Sequence, residues 1–89
     1  MLLWRTTSHY LSYMAPLRTP EYMQMVGRLR AARKTAGLTQ AQVAQRLSKP
    51  QSYVSKIEKA ERRIDPVELA RFAHLYGKEI SWFVDTKVT

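Results

Sequence analysis

What this chain can do chemically is bounded first by what it lacks. In 89 residues there is no cysteine and there are only two histidines, His9 and His74. Neither histidine has a partner at a spacing that serves acid–base catalysis or metal ligation, and no glycine-rich loop is present to cradle a phosphate. An enzymatic role has no residues to carry it, and no metal or cofactor is implied. What remains is hydrogen bonding and charge. Both gather around the stretch SKPQSYVSKIE, residues 48–58. Once Val54 and Ile57 face inward, the polar residues Gln51, Ser52, Ser55 and Lys56 are left facing out. Residues 27–65 hold ten Lys or Arg against three Asp or Glu, a surplus of seven, whereas residues 66–89 carry three of each sign. A basic half beside a neutral half suggests one surface that faces a polyanion and a second, differently used surface. The plainer alternative is ordinary solubility charge.

The elements that must position these groups follow from local signals. The length suits one small domain, and the apolar run Leu2-Leu3-Trp4 is far too short to span a bilayer, so no membrane role is expected. Residues 1–18 show no clean period and no acid, and read as a flexible arm, with Met14 an alternative start. The domain proper is expected over 19–89. Thr19 can cap a helix, Pro20 suits its first position, and Glu21 complements its dipole. Tyr22, Met25, Leu29, Ala32 and Ala36 then recur at helical spacing until Gly37 stops the helix. Thr39 with Gln42 is a capping box, opening a helix that buries Val43, Ala44 and Leu47. Ser48-Lys49-Pro50 ends it, because proline pushes Lys49 out of the helical region. A third helix starts near Gln51 with Tyr53, Val54 and Ile57 on its apolar side.

Asp65-Pro66-Val67-Glu68 is a further start, with Ile64 and Leu69 placed as a hydrophobic staple. Leu69, Phe72, Ala73 and Tyr76 follow before Gly77. Ser81 is expected to cap a last one-turn helix, Trp82-Phe83-Val84. The result is an all-α chain of five helices with short connections and no strand.

Two short helices, at roughly 40–47 and 51–59, separated by a three-residue turn, form the helix-turn-helix outline. Counted from Gln40, the fourth position (Val43) is apolar and the fifth (Ala44) small, where the second helix crosses closely. The eighth, fifteenth and eighteenth (Leu47, Val54, Ile57) are apolar and fill the angle between the helices. LTQAQVAQRLSKPQSYVSKIEKAERR resembles the Cro/lambda-repressor-type (XRE-like) family of bacterial and phage regulators, from about Arg28 to Val84. One departure is Ser48, where the family often has glycine in the turn; serine adopts that backbone at some cost.

The resemblance implies a five-helix, lambda-repressor-like DNA-binding domain whose helix from Gln51 enters the major groove. Gln51 then suits adenine, Lys56 suits guanine O6/N7, and Ser52 and Ser55 are permissive. The family's glutamine at the position of Gln40 contacts phosphate. Lys49, Arg62 and Arg63 are expected phosphate contacts as well. Tyr53 either packs at the helix edge or touches a phosphate or thymine methyl. Arg33 and Glu58 match a family ion pair joining the first helix to the end of the recognition helix; the alternative is two unrelated surface charges. The partner is double-stranded DNA, bound by a homodimer on half-sites about one helical turn apart. Trp82, Phe83 and Val84 are the expected dimer contact, with ordinary core burial the alternative. A second class of function is an antitoxin or adaptor whose apolar surface holds a partner protein such as a toxin. Either reading implies a cytoplasmic, nucleoid-associated protein of bacterial or phage origin.

Overall fold

Side-chain caps set where three of the helices begin. In a computed structural model of the chain, which describes residues 19–84, Thr19 Oγ1 accepts from the Tyr22 amide at 3.2 Å and opens α1, Pro20–Thr35. Thr39 and Gln42 form a reciprocal capping box, at 3.1 and 2.8 Å, at the head of α2, Gln40–Leu47. Asp65 and Glu68 repeat the device at 2.7 and 3.0 Å for α4, Pro66–Tyr76. Between them lies α3, Gln51–Glu58, whose N-cap is Pro50, with no side-chain cap. A short α5, Ile80–Phe83, closes the series. Among the described residues there is no strand. The arm expected over 1–18 and the start at Met14 lie outside the described residues.

Two glycines end helices as their sequence positions suggest. Gly37 and Gly77 have φ of 74° and 68°, the left-handed region that costs other residues more. Ser48 takes the same conformation at φ 57°, ψ 44° without being glycine.

α1 is central: it packs against α3, α4 and α5, while α2 and α3 pack on each other and α4 meets α5. The core follows from those contacts. Val26, Leu29, Val43, Val54, Ile57, Phe72 and Phe83 are all but inaccessible. Each such side chain stabilises by about 1.5–3 kcal/mol through burial. Ala44 is also buried, as its place at the crossing of two helices requires. Ile64 is half-buried against the cluster that includes Leu69.

The structure corrects four details of the sequence reading. Val26, outside the expected stripe, is buried, because three neighbouring helices cover a broad face of α1. Ala36 is exposed, since the helix has ended there. Ser81 is not a cap: α5 starts two residues earlier than expected, with Glu79 at the N-cap position, and the Trp82 amide donates to the Glu79 carbonyl at 3.0 Å. Phe83 is 1 % exposed and belongs to the core, so it offers nothing to a dimer contact. The reason is tertiary: the turn at Gly77 lays α5 against α1 and α4, and one of its three large side chains must then point inward.

Candidate nucleic-acid interface

The turn between α2 and α3 is built from backbone. The Ser48 and Lys49 amides donate to the Gln45 and Ala44 carbonyls at 3.1 and 2.9 Å, closing α2. Pro50, extended at φ −68° and ψ 155°, then redirects the chain into α3. Val54 and Ile57 are fully buried and fix the rotation of α3 about its axis. That rotation leaves Gln51, Ser52 and Lys56 exposed and Ser55 half-buried. The first-turn amides of α3, with no side chain capping them, add partial positive charge at the same end.

The far end of α3 is held by one carboxylate. Glu58 is 2 % exposed. Arg33 Nε donates to its Oε2 at 2.7 Å and Arg33 Nη2 to its Oε1 at 3.1 Å. Gln40 Nε2 donates to Oε1 at 3.0 Å. Arg30 donates to the Glu58 backbone carbonyl, and Arg33 Nη1 to the Leu38 carbonyl at 2.9 Å. One side chain thereby joins α1, α2 and α3. The bond to Glu58 raises the Arg33 pKa further, so the guanidinium is charged at every accessible pH. The Gln40 amide nitrogen keeps one hydrogen after its bond to Glu58, so it can offer that hydrogen to a phosphate only from a fixed position.

A second network flanks α3 and involves Tyr53. Its hydroxyl donates to Glu68 Oε2 at 2.8 Å, and its ring stacks on Phe72 at 6.1 Å. Arg62 and Lys49 lie 4.7 and 5.2 Å from that ring's centroid. Arg62 Nη1 is also 3.1 Å from the Glu68 carboxylate and donates to the Arg63 carbonyl at 2.9 Å. Burial alone would raise the Glu68 carboxyl. The Arg62 guanidinium, the Asp65 amide and the Tyr53 hydroxyl outweigh it and hold the pKa at about 2. Burial first, then the bond to Glu68, pushes the Tyr53 phenol up to about 12.

The expected phosphate-contacting residues therefore stand in different circumstances. Lys49 and Arg63 are exposed, Arg63 with its guanidinium 5.7 Å from the Tyr22 ring. Tyr53 and Arg62 are half-buried and already bonded. Glu68 and Tyr22 were not anticipated in these roles. The Tyr22 hydroxyl accepts from the Ile64 amide at 3.1 Å and ties the loop after α3 to α1. These partners are 15 and 42 residues apart, and no local pattern marks them. At the other end, Trp82 is 37 % and Val84 43 % exposed. Lys78 lies 4.5 Å and Arg28 5.9 Å from the Trp82 ring centroid, and Arg28 Nη1 donates to the Trp82 carbonyl at 2.8 Å.

Comparison with known proteins agrees with this geometry. The helix-turn-helix family model HTH_3 matches residues 29–83. A solved structure described as an XRE-family like protein from Pseudomonas syringae pv. tomato str. DC3000 is 35 % identical, with a TM-score of 0.71. The match covers 83 % of this chain and 90 % of that one. No curated protein matches. A buried apolar side, an outward polar face and a tight turn before α3 are the working parts of this fold, and the chain belongs to the XRE-type helix-turn-helix family of DNA-binding transcription regulators.

Proposed function

We propose that the protein is a sequence-specific regulator of the Cro/repressor type that binds a two-fold operator as a homodimer, with α3 in the major groove. One observation carries this reading. α3 buries Val54 and Ile57 completely while exposing Gln51, Ser52 and Lys56, within a segment that has a surplus of seven positive charges. Gln51 can bond bidentately to an adenine edge and Lys56 to guanine O6/N7, while Ser52 and Ser55 accept several bases. Lys49, Arg63 and Gln40 would position the protein on phosphates. Tyr53 and Arg62 would join them only by sharing the contacts they make with Glu68. A single α3 spans few base pairs, so useful specificity needs two. Trp82 and Val84, exposed beside Ile80 at 43 %, are the apolar groups for the dimer contact. Residues 19–89 form the binding unit, and its target places it in the cytoplasm with the nucleoid.

The test is selection of bound duplexes from random-sequence DNA, followed by binding at several salt concentrations. The expected outcome is an enriched site with two-fold symmetry and an affinity that falls steeply with salt, as release of several counterions requires. Binding that ignores salt, or no enrichment, would remove the reading. An enriched but asymmetric site would remove the homodimer alone.

A further inference from the structure

We propose that the groove between α2 and α4 is a docking site for an acidic amphipathic helix of another protein, separate from the DNA-reading face. The groove arises because α2 and α4 are not among the closely packed helix pairs. It encloses about 410 Å³. Leu47, Ala70 and Leu75 are its half-buried apolar residues, and Val67, at its edge, is 63 % exposed, the most of any large apolar side chain among the described residues. Exposed Val67 on the first turn of a well-capped helix contributes nothing to the core.

The rim identifies the occupant. Arg46, Arg71 and His74 line it, with no acidic residue among the lining groups. None of the three side chains makes a hydrogen bond or ion pair with another described residue. Arg28, Arg30, Arg33 and Arg62, in contrast, all have bonds within the fold. Arg46 and Arg71, unpaired among the described residues beside an apolar floor, complement carboxylates that flank an apolar stripe. Val67 and Leu75 stand eight residues apart on α4, about 12 Å along the helix axis, which accommodates two turns of a partner helix. A second copy of this chain fits poorly. Its exposed apolar α5, beside Glu79, has only four residues and covers about half that length. Duplex DNA would use the cations but leave the apolar floor without a purpose.

The experiment is a display selection on the full chain. The probe is a library of 16-residue helical peptides with a fixed leucine stripe and flanking positions randomised among Glu, Lys and Ser. The expected result is enrichment of Glu-flanked peptides whose binding shifts the NMR signals of Leu47, Val67 and Leu75. Val67→Glu should weaken them at least tenfold. Because Val67 is exposed and belongs neither to the core nor to α3 itself, that variant should keep its melting temperature and its DNA affinity. Arg71→Glu should shift preference toward Lys-flanked peptides. Five results would overturn the proposal. Four are no enrichment, enrichment without acidic bias, binding indifferent to Val67→Glu, and concentration-dependent self-association abolished by Val67→Glu. The last would assign the groove to a second copy. Loss of DNA affinity in Val67→Glu would assign it to DNA and equally end the idea, while leaving the reading of α3 intact.

Discussion

Arg33 and Arg46 carry the same charge in opposite circumstances. Arg33 is bonded to a buried carboxylate, whereas Arg46 is exposed and its side chain makes no hydrogen bond or ion pair among the described residues. Removing Arg33 leaves Glu58 buried beside Gln40 alone, and breaking a buried pair in this way costs about 3–5 kcal/mol. Arg46→Ala should change stability by no more than about 0.5 kcal/mol. Thermal unfolding of the two variants checks this, and equal melting temperatures would contradict it. Tyr76 is the counter-case of a polar group without compensation. Its hydroxyl is buried with no hydrogen-bond partner among the described residues, and burial pushes its pKa up. Leaving such a group unpaired costs about 1–3 kcal/mol, so Tyr76→Phe should raise the melting temperature. A fall would mean that the hydroxyl has a partner after all.

At the scale of elements, the turn between α2 and α3 holds a serine in left-handed backbone. Ser48 is exposed, so Ser48→Gly removes strain without removing a packed side chain. It should stabilise by about 0.5–1 kcal/mol in a denaturant titration. Ala60 has a similar φ of 59° but is 1 % exposed. There the same change also deletes a buried methyl worth about 0.8 kcal/mol, and the gain should vanish. The link between α3 and α4 is pH-sensitive. Glu68 has a folded-state pKa of about 2 against an ordinary 4.5, so its contribution is complete above 4.5 and fades as pH falls toward 2. Arg62 is partly solvated, so the effect should be about 1 kcal/mol. Glu68→Gln should therefore destabilise at pH 7 but match the parent near pH 2, as read by melting temperature.

What the sequence showed at this scale was local chemistry. Thr19, Thr39 and Asp65 mark helix starts, and Gly37 and Gly77 mark ends, because each acts on a backbone group within a few residues. The outward face of α3 was legible for the same reason: Val54 and Ile57 fix it by spacing alone. The rotation of α5, which buries Phe83 and turns Trp82 out, depends on α1 and α4 and has no signature in ISWF itself. The Tyr53–Glu68–Arg62 network joins three positions through tertiary contact, so Tyr53 stayed ambiguous until the fold placed it. Arg33 and Glu58, 25 residues apart, were paired by family resemblance and not by any local rule.

For the whole molecule, charge and shape divide the labour of binding. Lys56 stands on the exposed face of α3 and Arg63 on the loop that follows it. Lys56→Ala should change which sequences a random pool yields. Arg63→Ala should weaken all sequences alike and reduce the slope of log affinity against log salt by about one. Unchanged preference in Lys56→Ala would assign that side chain to phosphate.

The Glu58 hub has a consequence for genetics. An eight-residue helix is too short to persist alone in water, and α3 owes its place to groups on α1 and α2. If α3 reads DNA as proposed, reading DNA and being folded are a single property of the chain. A screen for lost operator binding should return substitutions at Leu29, Phe72 or Arg33 as readily as at Gln51 or Lys56. Protein abundance in the cell, measured beside binding, would separate the two groups.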